Sequence, residues 1–348
     1  MTGEPGKDRT TQLPEDAGGT VRDAASEEAT TDSSAAVDAG AATEAIVECV
    51  PNFSEGSDRA KLTEIMRAMR LPGVHLLDFS MDADHNRSVV TIAGAPDAVV
   101  EAAVRGAGKA SQLIDLTRQS GAHPRIGAAD VIPFVPVSGI SLVQCAVLAR
   151  QAGLAIWRRF GVPVYFYEAA ASRPDRVNLE DVRRGQFEGL RKDAVKDTRR
   201  QPDVGGPELH PSAGASAVGA RKFLIAYNIY LDAEGTAEAV SRARAIAKEI
   251  RASGGGLFGV KAMGVLANGR PQVSMNITDF QRTPMARLHA SIREIAARHG
   301  AEIAEGELIG LIPELAYEPN ADWVRQIKQF DPEDKVLERR LRRPMDWP

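Results

Sequence analysis

From residue 45 onward, runs in which apolar and polar side chains alternate are separated by stretches whose apolar positions recur every three or four residues. Period two marks a strand with one buried face, and period 3.6 an amphipathic helix. On that basis AIVECV (45–50), VHLLDF (74–79) and SVVTIAG (88–94) are predicted strands, with a helix over Asp58–Arg70. Pro96-Asp97 opens an alanine-rich helix expected to end near Arg118, since proline is at home in a first helical turn. Val131–Val137 then predicts a strand, Ser141–Phe160 a helix, and VPVYFYE (162–168) a further strand. The order is βαββαβ followed by one more αβ, the split-βαβ arrangement with helices on one face of a largely antiparallel sheet.

The same order recurs downstream. Lys222–Leu231 reads as a strand, Ala237–Ala252 as a helix, and Val260–Leu266 with Val273–Thr278 as paired strands. Asn268-Gly269 between them is a hairpin signal, because both residues accept positive φ. Pro284–His299 is a predicted helix and Glu307–Ile312 the closing strand. The expected fold is α+β, with two ferredoxin-like (βαββαβ) subdomains side by side sharing a seam. The predicted boundaries are a tail at 1–43, a first subdomain with its connecting loop at 44–220, a second at 221–315, and a charged tail with a peripheral helix at 316–348.

Length and charge narrow the function classes. A chain of 348 residues with 43% hydrophobic content can fill two ordinary cores, and a formal net charge of −4 argues against a nucleic-acid partner. Residues 1–43 carry nine acidic side chains against three basic ones and almost nothing apolar. Such a segment cannot offset the entropy of ordering, so a disordered tail is predicted. The rest of the chain is left slightly positive, which suits anionic small molecules. Cys49 and Cys145 lie in apolar runs without metal-ligand spacing and read as buried thiols of a reducing compartment. No apolar run spans a bilayer and the N-terminus lacks a secretory pattern. No membrane partner and a cytoplasmic address are therefore expected.

Six histidines are present. His75, His289 and His299 fall on predicted regular elements and read as structural. No HxxxH or HExxH occurs, so no metal is expected. His85, His123 and His210 sit in polar or Gly/Pro-rich loops, where function is commonly carried and where a plain solvent-exposed role is equally open. The glycine-rich tract from Gly205 to Lys222 lacks GxxxxGK[ST] and precedes a strand, whereas phosphate cradles follow one. It can instead let a flat ligand approach backbone groups, with Arg221 and Lys222 placed for carboxylates, or serve as a flexible connection.

Four strings go further: VECVPNFSEG (47–56), NRSV (86–89), GAHPRIGA (121–128) with Asp130, and GARKFLIAYN (219–228). Together, from about Ala45 to Pro313, the chain resembles the glutamate formimidoyltransferase family, in its stand-alone form. The resemblance implies transfer of a formimino group from N-formimino-L-glutamate to tetrahydrofolate, in histidine breakdown. It also implies a homodimer with folate as co-substrate in a groove between subdomains. By similarity the catalytic histidine is His123. The folate-contacting loop falls on Gly205, Gly206, Pro207, Glu208, Leu209, His210, Pro211, Ser212, Ala213 and Gly214, and the animal enzymes carry tryptophan where Ala213 stands.

The chemistry so implied has N5 of tetrahydrofolate attacking the amidine carbon, with glutamate leaving through a nitrogen that must be protonated. An imidazole can take the first proton and return it near neutral pH. Arg125, Arg87 and Arg221 are the candidates for substrate carboxylates, because a guanidinium fork matches them bidentately. Two other readings stand beside this one. One is a sister transferase using N-formylglutamate to make 5-formyltetrahydrofolate, and the other a folate-binding module without turnover.

Overall fold

The structure is a computed structural model that describes residues 44–121 and 123–348; the leader predicted at 1–43 lies outside the described residues. The first half supplies strands β1 (Ile46–Cys49), β2 (Asn52–Phe53), β3 (Val74–Asp82), β4 (Arg87–Gly94), β5 (Ala129–Ser138), β6 (Val164–Glu168) and β7 (Ser216–Ala220). Helices α1 (Arg59–Met69), α2 (Pro96–Leu113) and α3 (Leu142–Phe160) alternate with them, and the short α4 (Leu179–Val182) and α5 (Gln186–Lys196) lie in the connecting segment. Local chemistry sets the helix ends. Asp58 caps α1 by accepting from Ala60 N and Lys61 N, and Ser141 with Gln144 forms a capping box on α3, which Gly161 ends at φ 65°. The long alanine-rich helix α2 stops at Leu113, five residues short of the expected Arg118.

The seven strands form one sheet in the order β1-β4-β2-β5-β7-β6, with β3 outside β4 and β1 also pairing β5. Pro51 separates β1 from β2, yet its carbonyl still accepts from Val90 N, so the two act as one interrupted strand beside β4. Helices α1, α2 and α3 cover one face, burying Phe53, Leu62, Ile65, Val104 and Ile156 in a common core. Each such side chain contributes about 1.5–3 kcal/mol. Cys49 and Cys145 are both free and buried there.

Strand β7 is a correction. The tract that contains it reads as loop throughout, either ligand-facing or a flexible connection, but Ser216–Ala220 is a fully buried strand parallel to both β5 and β6. Its small residues are a packing requirement, since a Cβ on Gly219 would lie 2.5 Å from the Tyr167 ring.

The second half contains β8 (Ile225–Leu231), α6 (Ala237–Ile250), β9 (Val260–Ala267), β10 (Arg270–Ile277), α7 (Met285–Arg298) and β11 (Ile303–Ile309). Its sheet is antiparallel throughout in the order β11-β8-β10-β9, which is the split βαββαβ order expected. α6 and α7 bury Ile246, Ile250, Leu288 and Ile292 against one face. His289 is buried within hydrogen-bond distance of the Tyr227 hydroxyl, in the structural role its helix position suggested.

Residues 316–348 carry helix, as expected, but are less peripheral than expected. They contain α8 (Asp322–Arg325), α9 (Pro332–Lys335) and α10 (Leu337–Arg342). Trp323 and Val336 are completely buried in the second core, Trp323 edge-on to Tyr227 with ring centres 6.2 Å apart. The segment then crosses to the first half, where Arg340 Nε donates to Leu77 O at 2.9 Å and Met345 N to Leu76 O at 2.8 Å. A small apolar cluster of Leu77, Ala93, Leu311 and Leu337 joins the halves at this place. Among the described residues no helix is long and apolar enough to cross a membrane.

Candidate active site

Three of the sequence strings meet at the turn between β3 and β4. Asn86 sits there at φ 49°, its Oδ1 accepting from Gly56 N at 2.9 Å and its Nδ2 donating to Ser120 O at 2.8 Å. One amide thus ties the segment before α1 and the segment before His123 to the same hairpin. Glycine at 121 is needed for the second contact, since a Cβ would stand 2.6 Å from His85 O and 2.8 Å from Asn86 Cβ. His85 itself turns to Asp82, 2.8 Å from its Nδ1, and its ring centre is 6.3 Å from that of His123.

Below His123 lies a charged hub. Asp130, on β5, is wholly buried, and its carboxylate accepts from Arg87 Nη1 at 3.0 Å and from Ile126 N at 2.8 Å. Arg183 Nη2, from the turn after α4, makes an ion pair with it at 3.1 Å. Arg87 also donates to Asn52 Oδ1 through Nε at 3.0 Å and Nη2 at 2.7 Å. Burial works against ionising Asp130, but the Arg183 and Arg87 charges and the Ile126 N–H outweigh it and hold the carboxyl below its ordinary range. Burial likewise lowers Arg87, to about 10, which leaves it cationic at neutral pH.

His123 responds to both arginines. Its burial comes first, and the positive Arg87 and Arg183 add to it, so its pKa lies well below the ordinary imidazole value with only partial compensation from Asp130. The ring is therefore neutral at physiological pH. Nδ1 stands 2.8 Å from Pro124 O and 3.1 Å from Arg87 Nη1. With Nδ1–H donating to the carbonyl, the tautomer leaves the lone pair on Nε2, and Arg87 acts on the ring through its charge. Such an imidazole can accept a proton and, once charged between two cations, has every reason to give it up.

The other predicted residues fall in different places. Arg125 is buried, and its carboxylate partner is Glu188 of this chain, with Nη2 2.8 Å from Glu188 Oε1 and 2.9 Å from Gln119 O. Arg221 is half-buried, Nη1 donating to Lys222 O at 3.1 Å. Nearby Glu48, buried on β1, is raised to about 7 by that burial, against which Arg221 acts. In the glycine-rich loop Gly205, Gly206 and Gly214 have φ between 70° and 85°. Pro207, Glu208 and Pro211 are exposed, while Leu209 and Ala213 are buried. His210 and Gly214 exchange backbone hydrogen bonds, His210 Nδ1 accepts from Ala213 N at 3.0 Å, and Ser212 O accepts from Leu116 N. The loop is thereby packed beside the segment leading to His123. Asn52, Asp130 and Arg183 are the members of the hub to which the sequence reading gave no role. Arg183 stands in an arginine-rich stretch with no signal to distinguish it. Among the described residues no group of three or more His, Cys, Asp or Glu could hold a metal ion.

Residues 46–221 match the family described as "Formiminotransferase domain, N-terminal subdomain", and residues 226–339 match "Formiminotransferase domain". The chain is 42% identical over 299 residues to a glutamate formimidoyltransferase of Streptococcus pyogenes serotype M1, a match covering 85% of this chain and 98% of that protein. The chain is also 42% identical over 301 residues to the glutamate formimidoyltransferase of Thermoplasma acidophilum, covering 85% of this chain and 97% of that protein. The formimidoyltransferase-cyclodeaminase of Mus musculus is 39% identical over 277 residues, which is 77% of this chain but 50% of that longer protein.

Proposed function

This chain belongs to the formiminotransferase domain family, and from that premise we infer that it is a glutamate formimidoyltransferase, a transferase of one-carbon groups. The observation that carries this reading is the match at 42% identity along 98% of a single-function relative. Tetrahydrofolate as co-substrate, N-formimino-L-glutamate as donor, a homodimeric state and a cytoplasmic address belong to the same reading and rest on the family.

We assign the proton transfers to His123. In the reaction a bond forms between N5 of tetrahydrofolate and the amidine carbon, and the bond from that carbon to the glutamate nitrogen breaks. The N5 proton must leave and the glutamate nitrogen must receive one. A neutral imidazole with Nε2 free, beside two fixed cations, is suited to take the first and to surrender it in the second step. Arg183 has a buried Nε that no described residue accepts from, and only one carboxylate, so we give it a substrate carboxylate to hold alongside Arg87. Asp130 positions both arginines. Arg125, committed to Glu188 and to Gln119 O, is assigned to anchoring the His123 loop. Arg221 and the exposed side of Gly205–Gly214 are kept as folate contacts.

The test is transfer from N-formiminoglutamate to tetrahydrofolate, with N-formylglutamate as a parallel donor and His123→Ala beside the wild type. We expect turnover with the formimino donor and a loss of about a hundredfold or more in the variant. Equal turnover by the variant would remove His123 from the chemistry, and turnover with the formyl donor alone would replace the donor.

A further inference from the structure

The second half holds a cavity of about 380 Å³ that shares no residue with the hub around His123. It is lined by residues of β8, β10 and the edge strand β11 on one side and by residues 327–330 and 335 on the other. That volume is within the range of small-molecule sites.

Its charges are unevenly matched. Glu307 accepts from Asn228 Nδ2 at 3.1 Å, Gln272 Nε2 at 3.2 Å and the Tyr230 hydroxyl at 3.4 Å. All three donors are neutral and all three converge on Oε2, so Oε1 has neither a donor nor a cation among the described residues. Elsewhere in the lining, Arg270 and Lys328 both pair with the single carboxylate of Glu305, an excess of one positive charge. Lys335 has no carboxylate partner among the described residues. The rest of the wall is mixed: Asn268 and Gln329 are polar, while Leu308, Ile327 and Phe330 supply an apolar part, and the Arg270 guanidinium stands 4.7 Å above the Tyr230 ring.

One cavity thus presents a free carboxylate oxygen, a free ammonium and an apolar part of its wall. A partly desolvated charge without a counter-charge is costly, and a ligand bearing both opposite charges relieves two at once. We propose that this cavity is a second binding site, separate from the reaction site, for a free α-amino acid with an apolar side chain. The ammonium of the ligand meets Glu307 Oε1, its carboxylate meets Lys335 and the surplus cation beside Glu305, and its side chain lies on Phe330 and Ile327.

Isothermal titration of the full chain with L-leucine and L-phenylalanine tests this, with 3-phenylpropionate and phenethylamine as probes that each lack one charge. Saturable binding of at least one amino acid is expected, with each single-charge probe at least about tenfold weaker. Glu307→Gln and Lys335→Met should each weaken the amino acid by about tenfold or more, whereas His123→Ala should bind it as the wild type does. No saturable binding of either amino acid would overturn the proposal. So would equal binding of the single-charge probes, or wild-type affinity in both cavity variants. Should Glu307→Gln fail to fold, which its circular dichroism would reveal, Lys335→Met and the single-charge probes decide the question. None of these outcomes depends on turnover, so the proposal and the assigned reaction can fail separately.

Discussion

Replacing Asp130 by asparagine removes one charge while keeping the side-chain shape. In the wild type this fully buried carboxylate takes Arg87, Arg183 and the Ile126 N–H. An asparagine whose Oδ1 stays on Ile126 N turns its own N–H donors toward two guanidinium groups, so both contacts become donor against donor. Breaking a buried ion pair by removing one partner costs about 3–5 kcal/mol, and the upper half applies here because two cations are stranded. At about 2 °C per kcal/mol for a chain of this size, the melting temperature should fall by roughly 8–10 °C. Thermal melts by circular dichroism, with urea titrations for the free energy, measure it. The pH dependence has a definite sign. Asp130 is held below its ordinary value in the folded protein, so its stabilisation is complete above the unfolded-state pKa of about 3.9 and is lost as pH falls through the depressed folded value. The gap between wild type and variant should therefore persist at neutral pH and close only below about pH 4. A neutral-pH melting temperature within about 2 °C of wild type would refute the placement of Asp130 as the counter-charge of this hub.

Three further outcomes are expected. Because burial and the two arginines keep His123 neutral, the acid limb of kcat/KM should fall below the ordinary imidazole value of about 6.5, and Arg87→Gln should move it upward; a wild-type limb at 6.5 would contradict the electrostatics. Arg125→Ala separates two roles for that residue. Loop anchoring predicts lower kcat and lower stability with the donor KM changed by less than about twofold, and a large rise in KM alone would return Arg125 to the substrate. Trp323→Ala should cost about 3–5 kcal/mol in urea titration, and a cost under about 1 kcal/mol would mean that the C-terminal segment is not part of the second core.

Local chemistry made most elements legible. The Ser141 capping box, the Asn268-Gly269 turn and the period of Leu62, Ile65, Met66 and Met69 each act over a few residues and leave their mark in the letters. What stayed hidden depends on distant partners. β7 carries one branched residue, Val218, among small ones, and position 219 must be glycine because Tyr167 occupies the space above it, a pairing that only the fold creates. Trp323 and the pair Val336-Leu337 are scattered apolar positions in a charged stretch, so no periodicity announces that they are buried. The site divides in the same manner. His123, Arg87 and Asp130 stood in recognisable strings, although the resemblance, not spacing, singled out the histidine. Arg183 joins them through the packing of α4, from a segment where arginine is the commonest cation.

The strap that carries Arg340 and Met345 across to Leu77 and Leu76 also bears on how the protein is made. β3 is an outer strand of the first sheet, with β4 on one side and this strap beside Leu76 on the other. Leu77 and Arg340 are 263 positions apart, so at ribosomal speeds of about 5–20 residues per second the edge waits roughly 15–50 s for its cover. An open strand edge is a template for pairing with other chains. Molecules cut short before Arg340 keep that template permanently, and they, more than core variants, are the species to look for in inclusion bodies.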